Sequence, residues 1–180
     1  MNPHELIHKY YADNAPLEQI LLRHSEAVMH RAMQIVACHP EWRLDETFLA
    51  EAAMLHDIGI LRCNAPSIQC FGTEPYIRHG LLGGEILRSE GLPRHARVAE
   101  RHTGTGLTVK EIRSQALPLP EQDFVPETLE EQIICYADKF YSKTRLETEK
   151  TPEQALRSLE KFGQEGLVVF REWMSRFENI

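Results

Sequence analysis

Six side chains of the kind that bind metal ions interrupt the apolar patterning of this chain: His24, the adjacent pair His56 and Asp57, His79, His102 and Asp138. The pair lies in "EAAMLHDIGIL", residues 51–61, a stretch that otherwise reads as the stripe of a buried helix. An imidazole and a carboxylate are costly to bury without partners. Several such groups converging from different segments on one cavity are stable when a cation neutralises them. Mixed imidazole and carboxylate donors suit iron, manganese, zinc or other divalent transition metals.

The elements that must position these groups read as helices. His24 takes a place in the row Ile20, Val28, Ala32 and Ile35 of one helix, with Pro16 near its first turn. Asp45 is the expected N-cap of "ETFLAEAAMLHDIG", and Gly59 its expected end. Residues 61–78 lose periodicity and are expected to form a long loop. "HGLLGGEILRSEG" and "PRHARVAERH" are two shorter helices; His79 precedes the first and His102 closes the second. Thr128 and Glu131 form a capping-box pattern that opens "LEEQIICYADKFYSKTRLE". On that helix Ile134, Asp138, Tyr141 and Arg145 are expected to share one side. Thr151-Pro152 starts another helix, and the chain closes on the amphipathic "LVVFREWMSRFEN". No strand is expected, so the fold class is all-α. The whole of 1–180 is expected to be one domain. Its final helices, 151–178, carry Phe162, Phe170, Trp173 and Phe177. These are expected to pack on the core, with a homodimer face as the alternative.

Charge and composition exclude some partners. A net charge of -7 over 180 residues argues against a protein built to grip duplex nucleic acid or an anionic membrane. A small anionic substrate remains compatible, because local charge can differ from the total. The first residues do not read as a signal peptide, and no apolar run is long enough to span a bilayer. Cys38, Cys63, Cys70 and Cys135 form no C-x-x-C pair and are expected to be free thiols in a reducing, cytoplasmic setting.

The order His, His-Asp, His, His, Asp resembles the HD superfamily of metal-dependent phosphohydrolases, within it the HDIG subgroup. The resembling residues are "HSEAV" from His24, "LHDIG" from Leu55, "RHG..GGEIL", "AERHTGTG" and "ICYAD" ending at Asp138. The resemblance spans about residues 20–147, and 79–147 further resembles uncharacterised bacterial and archaeal HDIG proteins. It implies a single helical bundle with a metal centre in its core. Carried over position by position, His24, His56, Asp57 and Asp138 would hold one metal. His79 and His102 match the extra histidines of the dinuclear branch, in which Asp57 would bridge two ions. The implied cofactor is a pair of divalent transition metal ions, iron or manganese first, with zinc, nickel, cobalt or magnesium as alternatives. The remaining histidines, His4, His8, His30, His39 and His95, are read as non-ligands.

Such a centre implies hydrolysis of a nucleotide or related phosphoester by metal-activated water, with Asp57 as the central catalytic residue. Lys143 and Arg145, five and seven residues after Asp138, and Lys139 directly after it, are the expected substrate anchors. Arg62, Arg78 and Arg101 are weaker candidates for the same role. Ile60 replaces the lysine usual after HDIG in the cyclic-dinucleotide branch, and "TGTGLT" stands where that branch has GYP. Cyclic-di-GMP is therefore not assigned as the substrate. Two alternatives share the residues: an HD-type di-iron oxygenase of a small polar substrate, and a non-catalytic nucleotide-binding module.

Overall fold

The computed structural model describes residues 1–178, apart from the side chain of Phe162. Its helices are α1 (Pro3–Tyr11), α2 (Ala15–Ala37), α3 (Glu46–Leu55), α4 (His79–Ser89) and α5 (Pro93–Arg101). They continue as α6 (Val109–Ser114), α7 (Leu129–Asp138), α8 (Pro152–Ser158) and α9 (Gln164–Phe177). Local sequence sets most of their starts. The Asp45 carboxylate accepts from the Phe48 N–H at 3.0 Å. Thr128 and Glu131 close the capping box of α7, and Thr151 and Gln154 do the same for α8. Each such cap is worth about 1 kcal/mol.

Three expectations about elements are corrected. The helix carrying the HD pair stops at Leu55 and does not reach Gly59. The helix carrying Asp138 stops at that residue and does not reach Glu147, so Tyr141 and Arg145 do not continue its face. Residues 61–78 are not a featureless loop. They hold a two-stranded antiparallel ribbon, β1 (Asn64–Ala65) with β2 (Cys70–Phe71), flanked by 3₁₀ turns.

The interior has two main apolar regions. One joins Val28, Ala32 and Ile35 of α2 to Ala52 of α3, Ile133 of α7 and the α9 residues Phe170, Trp173 and Phe177. The other joins Tyr11 of α1 and Leu21 of α2 to Leu55, Ile58, Leu87 and Ala99. His24 falls between Leu21 and Val28, and His56 follows the switch from Ala53 to Leu55. The polar cluster thus sits along the chain where one apolar region gives way to the other. No described helix is long and apolar enough to cross a membrane.

Close backbone contacts hold the layers around that seam. A Cβ on Gly59 would lie 2.1 Å from the carbonyl oxygen of His79 and 2.3 Å from the Gly83 nitrogen. A Cβ on Gly80 would lie 2.5 Å from the Ala99 carbonyl oxygen. Both positions require glycine for the approach of α4 to the turn after α3 and to α5. The buried Tyr11 hydroxyl donates to the Ile58 carbonyl at 2.8 Å and ties α1 to the same turn.

Candidate metal centre

The structure brings all six donor residues together in two groups that share one carboxylate. His24, His56, Asp57 and Asp138 form one group, and Asp57, His79 and His102 the other. His24, His56, Asp57, His79 and His102 are buried; Asp138 is largely covered. Asp57 divides its oxygens between the groups. Its Oδ2 lies 3.1 Å from His24 Nε2 and 2.9 Å from His56 Nε2. Its Oδ1 lies 3.5 Å from His79 Nε2 and 3.4 Å from His102 Nε2. Asp138 Oδ1 completes the first group, 3.0 Å from His24 Nε2 and 3.5 Å from His56 Nε2.

Three of the histidines are oriented in one way. His56 Nδ1 donates to the Ala53 carbonyl, His79 Nδ1 to that of Tyr76 and His102 Nδ1 to that of Ala99, each at 2.7 Å. A carbonyl can only accept, so Nδ1 carries a proton and Nε2 is turned inward, where it offers a lone pair whenever the ring is neutral. This is the backbone support that metal-ligating histidines commonly have. In an α-helix the Ala53 carbonyl would accept from the Asp57 N–H. The His56 ring takes that carbonyl instead, which helps to explain why α3 ends before the pair.

The donor set fits a cation better than it fits itself. His79 Nε2 and His102 Nε2 face each other at 3.0 Å, although each nitrogen is a lone-pair acceptor in this tautomer. His56 Nε2 and both Asp57 carboxylate oxygens are buried without a well-oriented hydrogen bond, although His24, His56 and Lys143 all crowd within 3.1 Å of Asp57 Oδ2. Buried polar atoms left in this way are costly. A divalent ion in each group would satisfy them.

Electrostatics separate the two groups. Burial alone would raise the Asp57 carboxyl, but Lys143 and His56 outweigh it and hold the group well below the ordinary carboxylate range. Asp138 is held low in the same way, chiefly by Lys139 and His24 against its burial. Burial disfavours a charged His56, yet Asp57 and Asp138 raise it to about 9. Burial and the facing His102 push His79 down to about 3. Burial lowers His102 as well.

Of the expected substrate anchors, two reach the cluster. Lys143 Nζ is 2.5 Å from Asp57 Oδ2. Lys139 Nζ donates to Asp138 Oδ2 at 2.6 Å and to the His102 carbonyl at 2.8 Å. Arg145 is exposed and absent from the lining of the adjoining cavity, because the chain turns away after α7. The three weaker candidates are paired elsewhere: Arg62 with Glu85, Arg78 with Glu74, and Arg101 with Glu127 and the Val125 carbonyl. His95 is buried away from the cluster, beside Glu51.

A cavity of about 650 Å³ adjoins the cluster, with His79, His102 and Asp138 in its wall. Sequence reasoning missed several other residues there. Tyr76 stacks on the His79 ring at 4.8 Å and also lines the cavity. It lies in the aperiodic 61–78 stretch, where nothing marked it. Lys150 and Lys161 also line the cavity, and in the sequence they read as ordinary surface charge.

Residues 21–142 match the HD domain family. Over 130 residues the chain is 38% identical to a tRNA (cytidine(56)-2'-O)-methyltransferase of Picrophilus torridus, which covers 72% of this chain and 33% of that protein. A protein of the same name from Thermoplasma volcanium is 31% identical over 77% of this chain and 35% of its own length. The chain thus spans about a third of the length of these two relatives. An uncharacterized protein of Methanocaldococcus jannaschii is 33% identical over 69% of this chain and 68% of its own. Among solved structures, the HD domain of the L. monocytogenes phosphodiesterase PgpH aligns with a TM-score of 0.56 at 20% identity, covering 94% of each chain. The same domain in complex with cyclic-di-AMP aligns with a TM-score of 0.55 at 18% identity, covering 93% of this chain and 92% of that one. At such identities the likeness is one of fold.

Proposed function

Since the chain belongs to the HD domain family, we propose that it is a metal-dependent phosphohydrolase acting on a nucleotide or related phosphoester. His24, His56, Asp57 and Asp138 would hold one divalent ion, and Asp57, His79 and His102 a second. The observation that carries this reading is the division of Asp57, with one oxygen toward each group. Imidazole and carboxylate donors of this kind suit iron or manganese, and zinc, nickel or cobalt less specifically. Bound there, such a pair supplies a nucleophile from water at neutral pH and offsets charge on the phosphoryl oxygens.

The chain's own groups set up the rest. The carbonyls of Ala53, Tyr76 and Ala99 fix three rings, so little reorganisation is left for the reaction. Lys139 uses two N–H groups on Asp138 and the His102 carbonyl; it holds the Asp138 carboxylate in place and has one donor left for substrate. Lys143 borders Asp57 and the cavity. With Asp57 holding cations, the Lys143 ammonium would be free to contact a phosphoryl oxygen or the leaving oxygen. PgpH is a phosphodiesterase whose HD domain binds cyclic-di-AMP, and the shared fold supports a phosphoester of nucleotide size.

The test combines elemental analysis of protein purified without chelators with phosphate release from a panel of nucleotides and phosphodiesters. The expected result is two ions per chain and release that a chelator abolishes. Failure to bind metal after reconstitution would overturn the reading in favour of a binding module. Dioxygen uptake without phosphate release would replace it with the oxygenase.

A further inference from the structure

Four of the five tyrosines have hydroxyls engaged by groups outside the metal centre. Tyr10 donates to Glu90, Tyr11 to the Ile58 carbonyl and Tyr136 to Glu178, while Tyr141 meets Glu149 and Arg31. The Tyr76 hydroxyl instead meets the Lys143 ammonium, within the field of the Asp57 and Asp138 carboxylates. Tyr76 is itself firmly held. It opens a 3₁₀ turn, Tyr76–Arg78, directly after Pro75, and its carbonyl accepts from His79 Nδ1 at 2.7 Å. Its ring stacks on that of His79, with 4.8 Å between centroids and 21° between planes, and packs against the second apolar region. One side chain therefore touches His79 with its ring and Lys143 with its hydroxyl, at the wall of the cavity.

Lys143 has need of such a contact. It lies in the turn after α7, next to the exposed Thr144 and Arg145. Three groups attract its ammonium: Asp57, Tyr76 and Asp138. Both carboxylates are ligands in the proposed metal centre, so ions bound there would occupy these partners and repel the ammonium as well. Asp138 is also already held by Lys139. Of the three, the Tyr76 hydroxyl is the one that stays able to accept, and as a phenol it does so without losing its own proton. A lysine stem is long and flexible, and an ammonium with no acceptor on the wall would turn to solvent.

We propose that Tyr76 is a positioning residue for the phosphoryl group: its hydroxyl accepts from Lys143 and keeps that ammonium on the cavity wall when ions occupy Asp57. Through its ring and carbonyl the same residue orients His79. The cation that meets the substrate and one ligand of the second ion are thus set by a single side chain. The inference deepens the phosphohydrolase reading and rests on it for the anion that Lys143 meets.

The test is a double-mutant cycle of Y76F and K143M on metal-loaded protein. Inorganic phosphate is the probe, its binding is read by calorimetry, and elemental analysis follows the ions. Y76F keeps the ring and the carbonyl, so its ion content should match that of the wild type. Its affinity for phosphate should fall about fivefold, against about tenfold for K143M. The double variant should bind no more weakly than K143M, because a hydroxyl with no ammonium to hold contributes nothing. A merely structural hydroxyl would weaken binding equally in both backgrounds. Losses that add in the double variant therefore overturn the proposal, as do wild-type affinity in Y76F and a wild type that binds no phosphate. The two readings fail separately. Overlapping losses in phosphate binding, without hydrolysis of any nucleotide or phosphodiester, sustain the role of Tyr76 and remove the hydrolase. Hydrolysis with additive losses removes the role of Tyr76 alone.

Discussion

On one side of Asp57, His24 and His56 face a second carboxylate, Asp138, and two lysines stand close by. On the other side, His79 and His102 face each other, with Asp57 as their one shared acid. The first group concentrates charge and the second is close to neutral. A cation in the first group has two carboxylates to balance it, whereas one in the second depends on two imidazoles and half of Asp57. The first group should therefore bind more tightly, and the second should be the one that exchanges. The difference also bears on the proposed chemistry: with a single shared carboxylate to offset it, an ion in the second group would keep more of its positive field for a substrate oxygen.

Removing the shared residue should have the largest effect. Asp57→Ala is expected to lose both ions and all hydrolysis, as read by elemental analysis and phosphate release; a variant that keeps both ions would refute the bridging role. His102→Ala comes next. It should empty the second group alone, leave the fold intact by circular dichroism, and give a single-ion protein with little activity. Unchanged occupancy would reduce the centre to one metal. Lys143→Met should retain both ions and lose about tenfold in kcat/KM, the scale of one charge-assisted contact.

A smaller effect, on stability, sharpens the contrast in metal-free protein. His56 is raised from 6.5 to about 9, so it contributes stability that is complete below about pH 6.5 and is lost as pH rises through 9. His79 is lowered from 6.5 to about 3 and acts in the opposite sense. The unfolded state takes up a proton that the folded state refuses, so stability is lost as pH falls from about 6.5 toward 3. Side-chain nitrogen NMR should show the two rings titrating on opposite sides of neutrality; if they titrate together, the electrostatic contrast is wrong. The smallest effect is expected from Arg145→Ala, which should leave activity within about twofold, as for most exposed positions.

The helical fold was legible because the apolar period and the caps agreed, as at Asp45 and Thr128. The six side chains that cluster in the core were legible as polar breaks in that period. Helix ends were not, for a physical reason. His56 takes the carbonyl that the next helical N–H would have used, and nothing in an apolar stripe announces this. After Asp138 the backbone bonds shorten to the Lys139–Tyr136 and Phe140–Ala137 type, and the Ser142 hydroxyl then accepts from the Thr144 N–H. Lys143 is brought to Asp57 by that turn, not by the helix face from which its place was first inferred. Lys150 and Lys161 were invisible because a charge in a polar segment looks solvated until the tertiary fold closes a wall around it.

The contact between Gly59 and the first residues of α4 has a consequence for anyone who would transplant this centre. Gly59 belongs to the turn that carries His56 and Asp57, and the carbonyl it nearly touches belongs to His79 itself. The spacing of the two groups is thus fixed by where two stretches of main chain meet. A scaffold given the six donors in the right order, but with alanine at the meeting point, would hold its two halves too far apart. The unit to graft is the pair of touching backbones, and the side chains come with it.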